Sequence, residues 1–510
     1  MEFTESPAEQ LNAEDLAAEQ MRLRRTSVRG VAITMSTQLL RFFLRFGYQV
    51  LIARLLLPKD FGLVAMAGPA ISFIQLFTDL GLSQATIQHK EISQQQLSFL
   101  FWVSLCAGAI FAVITTLFAP LVADFYHEPR LTTVMVALGG MLFLTGCYSQ
   151  HMALLYRRMN YRVLGIIDIT NFCAGALAGL GAAWLGAGYW SIVINQAVST
   201  LVALVMAWAA TGWVPGKPGP YAEMRPLLHF GGNITGFNIV NFFSRNSDNI
   251  LIGRFCGPYP LGLYDRAFKL MLLPFGQISA PFSAVAVPML AKSREQPEFY
   301  RNAFRRMLEA VLLLLYPGIA FMIVCSHDLV ILALGARWVD VAPIFALLGF
   351  DALVSPIGNS MGWLFVSQGR TREMRDWGIL ASLIFVADFI IGLHWGPRGV
   401  AAAYAISGFI EISFLWKIAT RSGPLRERDF LRILLPYVVA LPASFGFLLG
   451  VHPHMPDTFW AIGAQAIGSY IVFAGGLCLT PGGRRLLADG LRRLRALSAT
   501  FRRPSIVAGE

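Results

Sequence analysis

The chain's 510 residues are 55% hydrophobic and only 14% charged, with a mean hydropathy of +0.57, which excludes a soluble globular protein of this length and places the chain in a membrane. Its net charge of +11 would suit nucleic acid, but the basic residues lie in short clusters between apolar runs, so the partner they imply is a lipid bilayer and no nucleic acid is expected. There is no GxxxxGK(S/T) loop, HExxH or GxSxG motif and no soluble segment large enough to build a catalytic site, so neither an enzyme nor a cofactor is expected. Uphill movement would draw on a proton or sodium gradient, on membrane potential or on consumption of product.

In chain order, residues 1–28 form a polar tail, acidic at first and then carrying Arg22, Arg24 and Arg25. It lacks the basic, apolar and cleavage-site order of a signal peptide, so the first span is expected to be an uncleaved anchor. Apolar runs of about 20 residues or more then recur, long enough to cross a hydrocarbon core and, in lipid, obliged to be helical. Fourteen spans are predicted, at roughly 31–57, 61–88, 97–124, 131–154, 163–184, 188–212, 227–255, 260–290, 306–326, 339–367, 376–394, 399–420, 431–450 and 458–479. The expected fold is an all-α polytopic membrane protein. Spans 1–6 make an N-lobe over 29–212, and the break around Pro215, Lys217 and Pro220 a cytoplasmic linker over 213–224. Spans 7–12 make a C-lobe over 225–420, a final pair follows over 421–480, and 481–510 is a basic cytoplasmic tail.

With the N-terminus inside, the even-numbered connections are cytoplasmic and hold the basic clusters, among them Arg157, Arg158 and Arg162, Lys292 to Arg306, Arg370 to Arg375, and Arg421 to Arg432. About 30 of the 41 Lys and Arg fall on that side, which is the positive-inside asymmetry. Both termini are therefore expected in the cytoplasm. The segment RRLLADGLRRLRALSATFRR, Arg484 to Arg503, reads either as a basic amphipathic helix on anionic lipid or as a solvated topology determinant. The six cysteines have no metal-ligand or CxxC spacing and read as small hydrophobes, and His452 and His454 share a loop with no further ligand nearby, so no metal is expected.

LIARLLLPKDFGL (Leu51 to Leu63) and LIGRFCGPYPLGL (Leu251 to Leu263) share six identities over thirteen positions. An even number of spans separates them, so both enter the membrane in the same direction, as in a parallel repeat with its cavity between two lobes. The register extends backwards. Gln38, Arg41, Arg45 and Gln49 form one polar stripe at helical spacing, and Asn238, Asn241, Arg245 and Asn249 form its counterpart. Arg41 and Arg45 sit about 15 and 20 Å from the cytoplasmic end, too deep to snorkel out. An arginine at mid-membrane costs about 2.5–3.5 kcal/mol. Two readings offset that cost. Either Arg245 pairs with Asp248 and an arginine of span 1 with Asp79, or both helices line a water-filled cavity whose guanidinium groups take a phosphate or pyrophosphate in bidentate geometry. Gln38, Gln49, Asn238, Asn241 and Asn249 are further candidates for that cavity. Span 8 adds Asp265, Arg266 and Lys269, readable as a local ion pair or as a second anion contact. Asp79 and Asp248 are the candidate coupling residues for a proton or sodium ion, and Asp168, Asp351 and Asp388 are the other intramembrane acids.

The segments Ala53 to Ala67, Phe77 to Lys90, Asn246 to Pro274 and SQGRTR (Ser367 to Arg372) resemble the polysaccharide transporter family, the Wzx-type oligosaccharide and lipopolysaccharide flippases of the multidrug/oligosaccharidyl-lipid/polysaccharide exporter superfamily. The resemblance runs from Gly30 to about Pro481, leaving out the acidic and basic tails. It implies two six-helix lobes plus a final pair, alternating access, and transfer of undecaprenyl-pyrophosphate-linked exopolysaccharide, capsule or O-antigen repeat units across the bacterial inner membrane; a polysaccharide polymerase is the partner whose proximity would make biological sense. It also implies a cationic cavity, for which Arg41, Arg45 and Arg245 are the candidate pyrophosphate contacts. The competing expectations are a lipid II flippase, a multidrug/cation antiporter, which favours anionic cavities, and a non-transporting scaffold for polysaccharide enzymes.

Overall fold

The computed structural model describes residues 41–79, 82–88, 92–218, 242, 246–456 and 458–502. The chain divides into two compact units, one up to Leu55 and one from Leu56 onward. The described part of the first is a single helix, α1, over residues 41–55.

The described elements of the second unit are all helices, joined by short turns and by an irregular segment over residues 212–218. In order it holds α2 (Pro58–Asp79), α3 (Leu82–Gln88), α4 (Gln94–Tyr126), α5 (Leu131–Arg157), α6 (Tyr161–Trp184), α7 (Trp190–Thr211), α8 (246–256), α9 (Pro258–Lys292), α10 (Pro297–Val324) and α11 (Ser326–Leu334). It continues with α12 (Val341–Ser367), α13 (Thr371–Gly392), α14 (Gly396–Arg421), α15 (Glu427–Val451), α16 (Phe459–Cys478) and α17 (Pro481–Arg502). Ten described runs are long and apolar enough to cross a membrane, with α13 and α14 counted as one run of 51 residues because only the short turn Leu393–Trp395 separates them. Of the fourteen predicted spans, the first is described from residue 41 onward, the seventh lies largely outside the described residues, and the second is divided between α2 and α3. The helices outrun their apolar windows at the basic end. α10 begins at Pro297, about two and a half turns before the expected span, because Pro at the first helical position and Glu298 in the first turn start a helix without regard to lipid.

Two contacts explain how the bundle is held. α2 and α9 both start on a proline, and one turn later carry Gly62 and Gly262. A Cβ built on Gly62 would land on the Pro258 carbonyl, 2.6 Å from its carbon, and one built on Gly262 would land on the Pro58 carbonyl, 2.8 Å from its carbon. The two backbones therefore touch, reciprocally, as small residues allow between membrane helices. Leu63 and Leu263, beside these glycines, are both buried. At the other end of the bundle the turn SQGRTR places Gly369 at φ 71° and turns Arg370 back onto α14. Its guanidinium donates to the carbonyls of Ile418 and Ala419, both at 2.7 Å, and to Glu373, and lies over the Phe365 ring. The motif thus satisfies carbonyls that the end of α14 leaves open. Between α4 and α5, His127 takes the left-handed conformation, and Arg130 grips Glu128 at 2.7 and 2.9 Å, holding that carboxyl below its ordinary range.

The glycine crossing makes a direct prediction. Gly62→Ala and Gly262→Ala should each lower the thermal unfolding midpoint of the detergent-purified protein, at the about 1–3 kcal/mol that overpacking costs. Gly68→Ala, on the same α2 but with nothing within 4 Å of the added methyl, should leave it unchanged.

Candidate functional site

α1 sets Arg41, Arg45 and Gln49 one turn apart on one stripe, next to a second stripe on which Phe42 stacks on Phe46 with centroids 6.0 Å apart. Arg45 is exposed and Arg41 and Gln49 are half-buried, and each of the three has interaction partners. Gln38, Asn238, Asn241 and Arg245 lie outside the described residues. Asp79 is the last residue of α2.

In the second unit, α9 places Asp265, Arg266 and Lys269 just beyond the Gly262 crossing. Asp265 is buried and takes both cations, Arg266 at 3.1 Å and Lys269 at 2.8 Å. Arg266 is itself buried, and its guanidinium carbon stands 4.2 Å from the ring centroid of Phe61, the neighbour of Gly62 on α2. Phe61 in turn meets the buried Trp338 edge to face at 5.2 Å. A cation stacked on an aromatic face and paired with a carboxylate is neutralised in place. Arg266 is thereby part of the seam between α2 and α9. Lys269 differs. Its side chain pairs with Asp265 yet is 55% accessible.

Asp248 on α8 is buried, accepts the backbone N–H of Asn249 at 2.7 Å and neighbours Tyr264 and Asp265. It opens a string of acidic and phenolic groups. Tyr264, fully buried on α9, also neighbours Tyr404 and Asp351. Tyr404 neighbours Glu411, which in turn neighbours Asp388 and accepts from Ser407 at 3.4 Å. Asp351 accepts from Ser355 at 2.8 Å, and its carboxylate lies so close to α14 that a methyl at Gly408 would come within 2.6 Å of it. Among the described residues no arginine or lysine forms an ion pair with Asp351, Asp388 or Glu411. Tyr404, Ser407 and Glu411 are the α14 members of this cluster that the sequence reading passed over. Their spacing of three and then four residues is the available signal, a polar stripe on an otherwise apolar helix. No group of three or more His, Cys, Asp and Glu side chains among the described residues is placed to hold a metal ion.

These described helices and their apolar surfaces define a helical, multi-pass membrane protein. Residues 51–343 match the model of the family described as "Polysaccharide biosynthesis protein", and the chain belongs to that family. It is 24% identical to the lipopolysaccharide biosynthesis protein WzxC of Escherichia coli (strain K12) over 84% of this chain and 89% of that one. It is also 24% identical to the teichuronic acid biosynthesis protein TuaB of Bacillus subtilis (strain 168), over 80% and 84% of the two chains. Among solved structures its fold is similar to that of the lipid II flippase MurJ in an inward closed conformation, with a TM-score of 0.68 at 16% identity, covering 87% of this chain and 98% of that one.

The α9 triad can be tested by taking out its centre. Asp265→Asn should leave Arg266 buried without its counter-charge and lower the yield of folded protein, in the range of about 3–5 kcal/mol that breaking a buried pair costs. Lys269→Gln, whose side chain reaches solvent, should lower it far less. Monodisperse yield by size-exclusion chromatography and the unfolding midpoint read both.

Proposed function

We propose that this protein is a flippase that moves undecaprenyl-pyrophosphate-linked oligosaccharide repeat units from the cytoplasmic to the periplasmic leaflet of the inner membrane by alternating access. The observation that carries the reading is membership of the polysaccharide biosynthesis family in a chain built almost wholly of membrane-length helices. Among the described residues, membrane-length helices of this kind offer a means to carry a lipid-linked sugar across the bilayer. The likeness in fold to a lipid flippase supports the same mode of action.

Two six-helix lobes and a final pair, fourteen spans in all, are the proposed arrangement. The reciprocal Gly62 and Gly262 contact supports a pseudo-twofold between the lobes. So do α5 and α12, both 27 residues long and each followed by a turn with one left-handed residue, Met159 in the first and Gly369 in the second. The basic clusters support cytoplasmic termini. Arg41, Arg45 and Arg245 are proposed to neutralise the pyrophosphate, with Gln38, Gln49, Asn238, Asn241, Asn249 and Lys269 lining the path. A guanidinium offers a phosphate paired donors that an ammonium does not. A proton or sodium ion is proposed to couple through Asp248 together with Asp351, Glu411 and Asp388, and Asp79 is the candidate on the other half. A polysaccharide polymerase is the proposed neighbour that draws off the product.

A deletion strain should accumulate the lipid-linked repeat unit on the cytoplasmic side, and wild type should clear it. A well-expressed Arg45→Ala/Arg245→Ala variant should fail to do so. Normal polymer output from that variant, measured alongside its membrane abundance, would overturn the pyrophosphate assignment. In proteoliposomes, Glu411→Gln should abolish the dependence of transport on a proton or sodium gradient. A gradient response unchanged from wild type would remove this cluster from coupling.

A further inference from the structure

Beyond the transport path, the geometry points to a second lipid contact: we propose that α17 is an interfacial helix that docks on anionic phospholipid headgroups. The inference takes from the proposed function only the orientation that puts the basic end of the bundle in the cytoplasm.

α17 is helical over Pro481–Arg502. At 100° per residue, positions 486, 487, 491, 494, 497 and 501, five leucines and a phenylalanine, share an arc of about 140°. Arg484, Arg485, Arg492, Arg493, Arg495 and Arg502 take the opposite arc and its margins, with Asp489 the one acid in the helix. Apolar residues on one side and arginines on the other and at the edges are what lets a helix lie at the acyl boundary with its charges among headgroups.

The bundle holds the start of α17 at the membrane boundary. α16 ends at Cys478, and the Arg484 guanidinium donates back to the Cys478 carbonyl at 2.6 Å. Gly483 is buried, and a methyl on Gly482 would lie 3.1 Å from Pro436 of α15. The helix does not then leave the bundle end. Its Asp489 neighbours Glu309 of α10, whose carboxylate also neighbours Arg305 and Arg306. α17 therefore runs within electrostatic reach of the basic turns of α10, where Lys292, Arg294 and Arg301 are also gathered by sequence. Arginines concentrated on one side of a helix, added to a bundle end that is already basic, are complementary to an anionic leaflet. A neutral leaflet would reward only the leucines.

The test uses the full chain, in a variant whose six cysteines are replaced and which still transports, reconstituted in nanodiscs. A fluorophore is placed through Leu497→Cys on the apolar arc or Ala499→Cys on the basic arc. In nanodiscs containing phosphatidylglycerol, the label at 497 should be quenched by lipid-borne nitroxide and shielded from aqueous iodide, and the label at 499 should show the reverse. Replacing Arg485, Arg492, Arg493 and Arg495 with Gln should release the label at 497, each arginine changing the docked-to-free ratio by about fivefold. High salt or pure phosphatidylcholine should do the same. Equal quenching at 497 and 499 in anionic nanodiscs would overturn the proposal. So would shielding at 497 that persists in phosphatidylcholine and in the four-Gln variant, because bundle packing or the leucines alone would then hold the helix. A tag after Glu510 found on the periplasmic side of cells would overturn the orientation, and with it the flippase topology, while leaving the nanodisc result intact.

Discussion

The contact on which the second unit depends is the backbone-to-backbone crossing of α2 and α9 at Gly62 and Gly262. Lipid gives two helices no hydrophobic reason to associate, so close approach has to come from shape. Here each glycine leaves room for the carbonyl of the proline that starts the other helix. That approach brings Phe61 over Arg266 and Trp338 against Phe61, so the buried cation of α9 is held by a residue adjacent to the glycine of α2. Moving the crossing outward by the width of a methyl would disturb the aromatic seat of Arg266 as well as the packing.

The same constraint explains what was legible in the sequence. Pro58, Gly62 and Leu63 recur as Pro258, Gly262 and Leu263 because a reciprocal contact requires the same shape from both partners. Farther along, no fixed offset survives. α5 and α12 have equal length and similar turns, but their starts, Leu131 and Val341, are ten residues further apart than the two proline starts. α11 stands between α10 and α12 with its own start at Ser326. Packing at those positions asks for length and burial rather than identity, so likeness in structure leaves little trace in residues. Span limits were legible to within about two and a half turns. Apolar content measures the lipid thickness, whereas Pro297 and Glu298 mark where a helix begins.

The candidate site was legible unevenly for a related reason. An arginine deep in an apolar run stands out at once, and so Arg41, Arg45 and Arg266 were visible. Composition does not reveal that Arg266 is neutralised by Asp265 and Phe61, because one of those partners lies more than 200 residues away. Glu411 has the opposite history. It is one acid in an apolar helix and becomes notable only when α12 and α13 bring Asp351 and Asp388 beside it.

The two halves of the chain share a backbone device but differ in what they bury. Through α7, the buried polar side chains that are described are uncharged or histidine, including Thr86, Ser104, Gln150 and His151. Gln150 links Thr86 and Ser104 at 2.8 and 3.3 Å, and His151 holds Thr211 at 2.8 Å between tryptophans. Such closed neutral networks fix packing and respond little to ions. From α8 onward the chain buries Asp248, Asp265, Asp351 and Glu411. A carboxylate taken out of water must find a counter-charge, a proton or a cation. Asp265 finds its counter-charge within α9. Asp351 and Glu411 form no ion pair among the described residues and are held by the hydroxyls of Ser355 and Ser407. Among the described residues the buried carboxylates therefore gather from α8 onward, where burial has to be offset by hydrogen bonds or counter-charge, whereas the buried polar groups before α8 are satisfied within neutral networks.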